Sequence, residues 1–325
     1  MSGAGFVEPQ LATLVDEPVD GPQWLFERKL DGIRVVVVRD GDRISLCSRN
    51  RIDRSSTFPE LVDAIAQRTP RRFVGDGEVV AFDGDVTSFS RLQQRSGLTD
   101  PDEARSSGIA VFLYLFDLMH VDGDDVTDLT LRERKSLLLE EVDFGDPLRF
   151  CPHRNADGSA YLDDACSRGW EGLIAKRADR PYSSGRGRDW LKLKCVARQE
   201  LVIGGFTEPK GERNGIGALI VGYHPNGGEE SDGDRLVHAG RVGTGFDTET
   251  RDELRRLLDR RERSTSPFDE APSGDGVHWV TPDLVCEVGF TEWTNAGKLR
   301  HPRYLGLRDD KDAADVVRET PQAAP

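Results

Sequence analysis

Glu27-Arg28-Lys29-Leu30-Asp31-Gly32-Ile33-Arg34 is the stretch on which the reading of this chain turns. It lies within residues 23–39, where two β-rich pieces flank Asp31-Gly32, a turn signal. A lysine at such a strand-turn can present its amine to a cleft. Lysine offers a nitrogen nucleophile of adjustable pKa, whereas arginine stays protonated. Read alone, the string equally suits a surface hairpin with solvated charges.

Working outward, Asp40-Gly41 turns the chain into a strand at Arg43–Ser48, and helical spacing covers Pro59–Arg68. Residues 72–82 read as a strand, 88–95 as a short helix, 109–117 as a buried strand and 131–142 as a charged amphipathic helix. A helix at 160–168 precedes strands at 170–176 and 190–195. From Glu200 the pattern changes to short strands with Gly-rich turns at 201–206, 218–223, 236–242 and 284–291, interrupted by one helix at 248–263. Such spacing predicts a small Greek-key barrel of the OB type, with a boundary near residues 196–200. Residues 227–234 and 264–276 read as loops, and the chain after Val317 as a frayed tail.

Composition sets the outer limits. The chain has 325 residues and no apolar run near ~20 residues, which excludes a spanning helix and makes two domains the first expectation. Met1 to Pro22 does not read as a signal peptide, so a cytoplasmic location is expected. Cys47, Cys151, Cys166, Cys195 and Cys286 lie far apart with no CxxC pair, which predicts reduced, packing thiols. A net charge of -14 argues against nucleic acid as a partner, but says nothing about where a basic patch sits. Of the 44 basic residues, only Lys29, Lys135, Lys176, Lys192, Lys194, Lys210, Lys298 and Lys311 are lysines. A chain that otherwise uses arginine keeps lysine at these places.

Further constellations follow the first. Asp76-Gly77-Glu78 sits on a β-rich run, where a carboxylate can bind a ribose hydroxyl or a divalent metal. Phe116-Asp117 closes an apolar strand, and an aromatic ring there can stack on a base. In Glu171-Gly172-Leu173-Ile174-Ala175-Lys176, strand alternation puts the two charges on opposite faces unless a bulge or twist intervenes. In Trp190-Leu191-Lys192-Leu193-Lys194, the two lysines project to one side and would repel unless an anion such as phosphate lies between them. Residues 299–303 with Arg308-Asp309-Asp310-Lys311 locally reverse the charge of an acidic protein.

Each signal is modest alone; their order is specific. In that order the sequence resembles the covalent nucleotidyltransferases, and within them the ATP-dependent DNA ligases, closest to the ligase module of bacterial DNA ligase D and its stand-alone relatives. The likeness covers about residues 8–318 and includes Ser48-Arg49-Asn50, Phe58-Pro59-Glu60-Leu61, Leu92-Gln93-Gln94-Arg95, Ala175-Lys176-Arg177-Ala178-Asp179, Ile203-Gly204-Gly205-Phe206, Ala239-Gly240-Arg241-Val242-Gly243-Thr244-Gly245 and Leu305-Gly306-Leu307-Arg308.

The resemblance implies an α+β chain of two domains: a nucleotidyltransferase (adenylation) domain over 1–197 with antiparallel sheets and flanking helices, an OB-fold β-barrel over 198–318, and a disordered tail over 319–325. It implies that Lys29 attacks the α-phosphate of ATP and carries AMP, with Mg²⁺ or Mn²⁺ as the metal. Glu27 would touch adenine, and Phe116 would stack on it. Arg34 and Arg49 would hold the ribose and the nucleotide end of a nick. Glu78 would bind ribose or metal, and Glu171 would be the second acid at the metal. Lys192 and Lys194 would hold the α-phosphate, with Arg188 as a further ATP contact. Lys311, with Arg308 and Asp310, would align the departing pyrophosphate. The implied substrate is nicked duplex DNA, acted on by a monomer in repair or end joining. Leu30 and the stretch 52–57 depart from the family pattern. The 28 residues before Lys29 hold no further DNA-clamping domain, so weak DNA affinity without a helper such as the end-binding protein Ku is expected. The competing readings are an RNA ligase or another covalent nucleotidyltransferase, and a silent single-strand binder built on an OB fold.

Overall fold

The structure, a computed structural model, describes residues 5–155, 157–195, 197–209, 215–225, 235–272 and 276–322. The loop expected at 227–234, residues 273–275 of the loop expected at 264–276, and Lys210 lie outside the described residues. The chain divides into two compact units, Met1–Cys195 with Thr320–Pro325, and Val196–Glu319.

In the first unit the strands are Gln10–Leu14 (β1), Trp24–Arg28 (β2), Ile33–Asp40 (β3), Arg43–Ser48 (β4), Arg72–Val80 (β5), Phe112–Val121 (β6), Leu148–Phe150 (β7), His153–Asn155 (β8), Gly172–Arg177 (β9) and Gly185–Lys194 (β10), with three further two-residue strands. The helices are Pro59–Arg68 (α1), Phe89–Ser96 (α2), Pro101–Ser106 (α3), Leu131–Glu141 (α4) and Gly158–Ser167 (α5). One sheet has the order β1-β10-β9-β2-β8, the other β7-β6-β5-β3-β4. All neighbours are antiparallel except β1 with β10 and β7 with β6.

Strand alternation sorts the faces. Phe26, Leu173, Ala175, Leu191 and Leu193 of the first sheet pack under Tyr161 and Ala165 of α5. Ile33, Val35, Val37, Val79, Leu113 and Leu115 of the second pack under Leu61 and Ile65 of α1 and Leu92 of α2. The remaining faces meet each other: Val36, Val74, Phe116 and Met119 from the second sheet join Trp190 from the first. The site lies between these two faces.

β6 runs on to Val121, so Asp117 sits in mid-strand and fully buried, not at the strand end expected from the sequence. The reason is a charge partner far along the chain. Asp117 takes a bidentate hydrogen-bonded pair from Arg134 of α4 at 2.6 and 2.9 Å. α4 starts at a Thr130–Glu133 capping box and buries Leu131, Arg134, Lys135 and Leu138, a stripe at helical spacing whose middle members are cations. β6 also skips register at Met119 and at Phe116, and these bulges turn both side chains into the cleft.

Two other expectations change. Cys166 at the end of α5 and Cys195 just past β10 form a disulfide, so these two are not packing thiols; Cys47, Cys151 and Cys286 are free. Their Cα atoms stand 5.2 Å apart because the Cys195 N–H donates to the Glu171 carbonyl, beside the turn that ends α5. The tail expected to be disordered is ordered over its described part. The Glu319 N–H donates to Gln199 Oε1, and the Gln322 N–H donates to the Leu14 carbonyl at 3.0 Å, filling part of the open edge of β1.

The second unit is a curled antiparallel sheet of the OB type. Its strands are Arg198–Thr207 (β11), Ala218–Tyr223 (β12), Val237–Val242 (β13), Glu262–Arg263 (β14), Val277–Gly289 (β15) and Arg303–Leu307 (β16), with order β13-β12-β11-β15-β14 and β16 also on β15. Thr248–Asp259 (α6) covers its core with Leu254 and Leu258. The helix stops at Asp259 rather than 263 because Glu262 and Arg263 pair with Val280 and Trp279. No helix among the described residues is long and apolar enough to cross a membrane.

The Asp117–Arg134 pair has both side chains at 0% exposure, so removing one partner leaves a bare buried charge. Asp117→Ala should cost about 3–5 kcal/mol of unfolding free energy, whereas the apolar pair D117L/R134M should lose much less. Urea denaturation of both variants measures the difference.

Candidate active site: a lysine turn between two facing sheets

The Lys29 turn begins where β2 ends. The Lys29 N–H donates to the Gly172 carbonyl at 2.9 Å, so its backbone is still tied to the first sheet. Lys29 Nζ donates to Glu171 Oε1, with the lysine side chain one-fifth exposed and the glutamate nearly buried. The chain then crosses to the second sheet at Gly32. A Cβ there would collide with the Val79 carbonyl and lie 3.1 Å from Glu78 Cγ. Glycine is what lets the Lys29 turn lie directly on the strand that carries Glu78.

Gly172 resolves the alternation problem in the Glu171–Lys176 stretch. Its φ is +151°, a backbone conformation L side chains rarely adopt, and a Cβ would overlap the Leu193 carbonyl. β9 is regular only after this residue. Glu171 and Lys176, which ideal alternation places on opposite faces, therefore both reach the face of Glu27 and Lys29: Glu171 meets Lys29, and Lys176 Nζ stands 2.6 Å from Glu27 Oε2.

From the second sheet, Arg34 and Glu78 are register partners on β3 and β5. Arg34 is gripped at 2.6 Å through both Nε and Nη2 by Asp76, and the Tyr182 hydroxyl donates to the same carboxylate at 2.7 Å. Burial opposes the charge on Arg34, but Asp76 outweighs it and its pKa is raised. The guanidinium lies 4.7 Å from the centre of the Phe116 ring. Phe116 in turn meets Trp190 edge-on at 6.0 Å, and Lys176 Nζ lies 4.0 Å from both rings. Glu27, on β2 two residues before Lys29, is almost wholly buried. Its carboxylate holds Lys135 Nζ at 2.5 Å and Lys176 Nζ at 2.6 Å. Burial pushes its pKa up, yet the two ammonium groups win and hold it below the ordinary 4.5. Burial pulls the Lys176 pKa down, against the pull of Glu27.

On β10, Leu191 and Leu193 enter the core under α5 while Trp190 enters the cleft. Lys192 and Lys194 alternate with the leucines, so they fall on the Trp190 face. Arg188 is an exposed residue earlier on the same strand, and Arg49 a half-buried one in the turn after β4. The structure thus gathers Glu27, Lys29, Arg34, Glu78, Phe116, Glu171, Lys192 and Lys194 on the two facing surfaces of the first unit. Lys311, Arg308 and Asp310 form their own group on the second. There Arg308 chelates Asp310 at 2.8 and 2.9 Å and meets Glu287 at 3.2 Å, while Lys311 stands 3.3 Å from Glu200. Burial raises the Asp310 pKa, but Arg308 outweighs it and the carboxyl is held low.

Asp76, Tyr182 and Lys135 are absent from the residues chosen on sequence grounds. Asp76 was visible beside Glu78, and Lys135 as one of few lysines; nothing marked Tyr182. Among the described residues no three His, Cys, Asp or Glu side chains converge as a metal cage.

Comparison with known proteins gives the class. The family model for the ATP-dependent DNA ligase domain matches residues 9–194, and that for the ATP-dependent DNA ligase C-terminal region matches 212–311. The chain belongs to the ATP-dependent DNA ligases. It is 39% identical to the multifunctional non-homologous end joining protein LigD of Pseudomonas aeruginosa over 98% of this chain and 37% of that protein. It is 35% identical to a DNA ligase of Natronomonas pharaonis over 89% of this chain and 52% of that one. Among solved structures it is similar to mycobacterial DNA ligase D complexed with ATP and MES, with a TM-score of 0.67, 33% identity and coverage of 96% and 98% of the two chains. The chain spans 37% of the length of the Pseudomonas relative.

The Glu27 cluster has a pH signature. A carboxyl with a lowered folded pKa stabilises the fold above its ordinary value, and that contribution is lost as pH falls through the lowered value. Glu27→Gln strands two buried ammonium groups, so it should cost about 3–5 kcal/mol at pH 7. The gap from wild type should narrow below the ordinary value of 4.5. Urea midpoints at pH 7 and below 4.5 would show it.

Proposed function

We propose that the chain seals 3′-hydroxyl/5′-phosphate nicks in duplex DNA, consuming ATP through a lysyl-AMP on Lys29. The observation that carries this reading is the placement of Lys29 Nζ, hydrogen-bonded to Glu171 at the mouth of a cleft whose opposite face carries Arg34, Glu78 and Phe116. Family membership supports it. So does the mycobacterial DNA ligase D structure, which has ATP bound.

The chemistry asks for in-line geometry and charge neutralisation more than for acid–base work. Glu171 orients Nζ at the turn. Lys192 and Lys194, on one face of β10, neutralise the α-phosphate, and Arg188 supplies a further cation. Phe116 packs on adenine, Glu27 reads its edge, and Arg34, Glu78 and Arg49 take the ribose and the nick. Mg²⁺ or Mn²⁺, held by Glu78 and Glu171, would supply positive charge at the non-bridging oxygens. Lys29 Nζ, having given up a proton to become the free amine, attacks phosphorus as the bond to pyrophosphate breaks, and the new N–P linkage loses its extra proton to water. AMP then passes to the 5′-phosphate of the nick, and the 3′-hydroxyl displaces it. Lys311, with Arg308 and Asp310, serves the departing pyrophosphate. The cellular task is repair or end joining, with an end-binding helper such as Ku, a monomeric enzyme and a location with the nucleoid.

The test is covalent labelling by α-labelled ATP with Mg²⁺, followed by sealing of nicked DNA. Wild type should be labelled by ATP and not GTP, and should seal a DNA nick in preference to an RNA nick. Lys29→Ala should carry no label; label retained on that variant would move the nucleophile. Lys311→Ala should slow labelling at least tenfold yet spare sealing of a nick already bearing 5′-AMP. Equal loss in both assays would contradict its role with pyrophosphate.

A further inference from the structure

Lys135 belongs to none of the motifs quoted for the family resemblance, and it is one of only eight lysines among 44 basic residues. Its side chain is 2% exposed, on the buried stripe of α4. The ammonium has three hydrogens and three acceptors, each from a different part of the first unit. Nζ reaches Glu27 Oε1 on β2 at 2.5 Å, the Phe116 carbonyl on β6 at 3.4 Å and the Cys151 carbonyl between β7 and β8 at 3.1 Å. Glu27 belongs to one sheet and Phe116 to the other. The preceding residue, Arg134, grips Asp117. Consecutive residues of α4 therefore hold consecutive residues of β6, at the bulge that turns Phe116 into the cleft. A compact ammonium can address three acceptors that converge on a single nitrogen; arginine spreads its donors over a planar fork. This accounts for a lysine in an arginine-rich chain.

We infer that Lys135 is a positioning residue for purine recognition, fixing the carboxylate of Glu27 and the ring of Phe116 relative to each other across the two sheets. The inference rests on the reading that Glu27 and Phe116 contact the adenine. Without the ammonium, Glu27 keeps Lys176 but loses half of its anchor. The Phe116 and Cys151 carbonyls lose a donor, and the edge-reading and stacking groups drift apart. The reaction at Lys29 is not touched directly, so the loss falls on base selection and on ATP affinity, not on the labelling plateau.

The experiment is covalent labelling of the full chain with Mg²⁺ across a range of ATP and of ITP, whose base lacks the 6-amino group. In Lys135→Met, half-saturating ATP should rise at least tenfold, the plateau should stay near that of wild type, and the preference for ATP over ITP should fall by a similar factor. Adding Glu27→Gln to Lys135→Met should change the preference little further, because both act through one carboxylate. If Lys135→Met does not fold, as judged by its thermal midpoint, Lys135→Arg is read in its place with the same expected loss of preference. An unchanged ATP preference in whichever variant folds overturns the inference, as does a fully additive double variant. Failure of wild type to label at all would instead remove the nucleotidyl-transfer reading on which the inference stands.

Discussion

Buried charge joins the two sheets of the first unit, and the cleft depends on that junction. Apolar packing backs each sheet separately, under α5 on one side and under α1 and α2 on the other. The faces that look at each other are less apolar. They meet through cations whose carboxylate partners lie on one sheet and which reach across to the other: Lys135 and Lys176 on Glu27 reach the Phe116 carbonyl and ring, and Arg34 on Asp76 reaches the Gln10 carbonyl. Each pair trades a large desolvation cost for attraction in a low-dielectric interior, and such trades seldom add much net stability. What they give is geometry. A hydrocarbon seam would let the sheets slide; bidentate and three-acceptor contacts fix one arrangement.

The site is built from departures from regular structure. Two bulges in β6 aim Phe116 and Met119, a left-handed glycine at 172 brings Glu171 to Lys29, and Gly32 lets the Lys29 turn lie against the strand of Glu78. Each irregularity costs local ladder energy and is held by its surroundings, as residues at functional sites tend to be. The rigid sheets thus present side chains that ideal alternation would have hidden.

This pattern explains what could be read from the sequence and what could not. Local signals placed α1, the Lys29 turn and the change of character near Glu200, because periodicity and turn residues act over short spans. The clean alternation of Trp190 to Lys194 likewise carried the facing of its lysines. The Glu171–Lys176 stretch could be posed only as a conflict, since the sequence does not say that Gly172 takes a φ of +151°. Partners separated by long stretches of chain left no trace: Arg134 with Asp117, Lys135 with Glu27, Tyr182 with Asp76, and Cys166 with Cys195. Strand β1 and the ordered end at Gln322 escaped for the same reason, since an edge strand with mixed polarity has no period of its own.

The return of residues 320–322 to the edge of β1 has a practical corollary. The second unit is spliced into the first rather than appended to it, because the first owns chain on both sides of residues 196–319. A stop codon after Cys195 would delete not just the OB-type sheet but also the cover over Leu14, baring an edge prone to self-association. Anyone wishing to isolate the first unit should carry residues 320–322 with it, not truncate at Cys195.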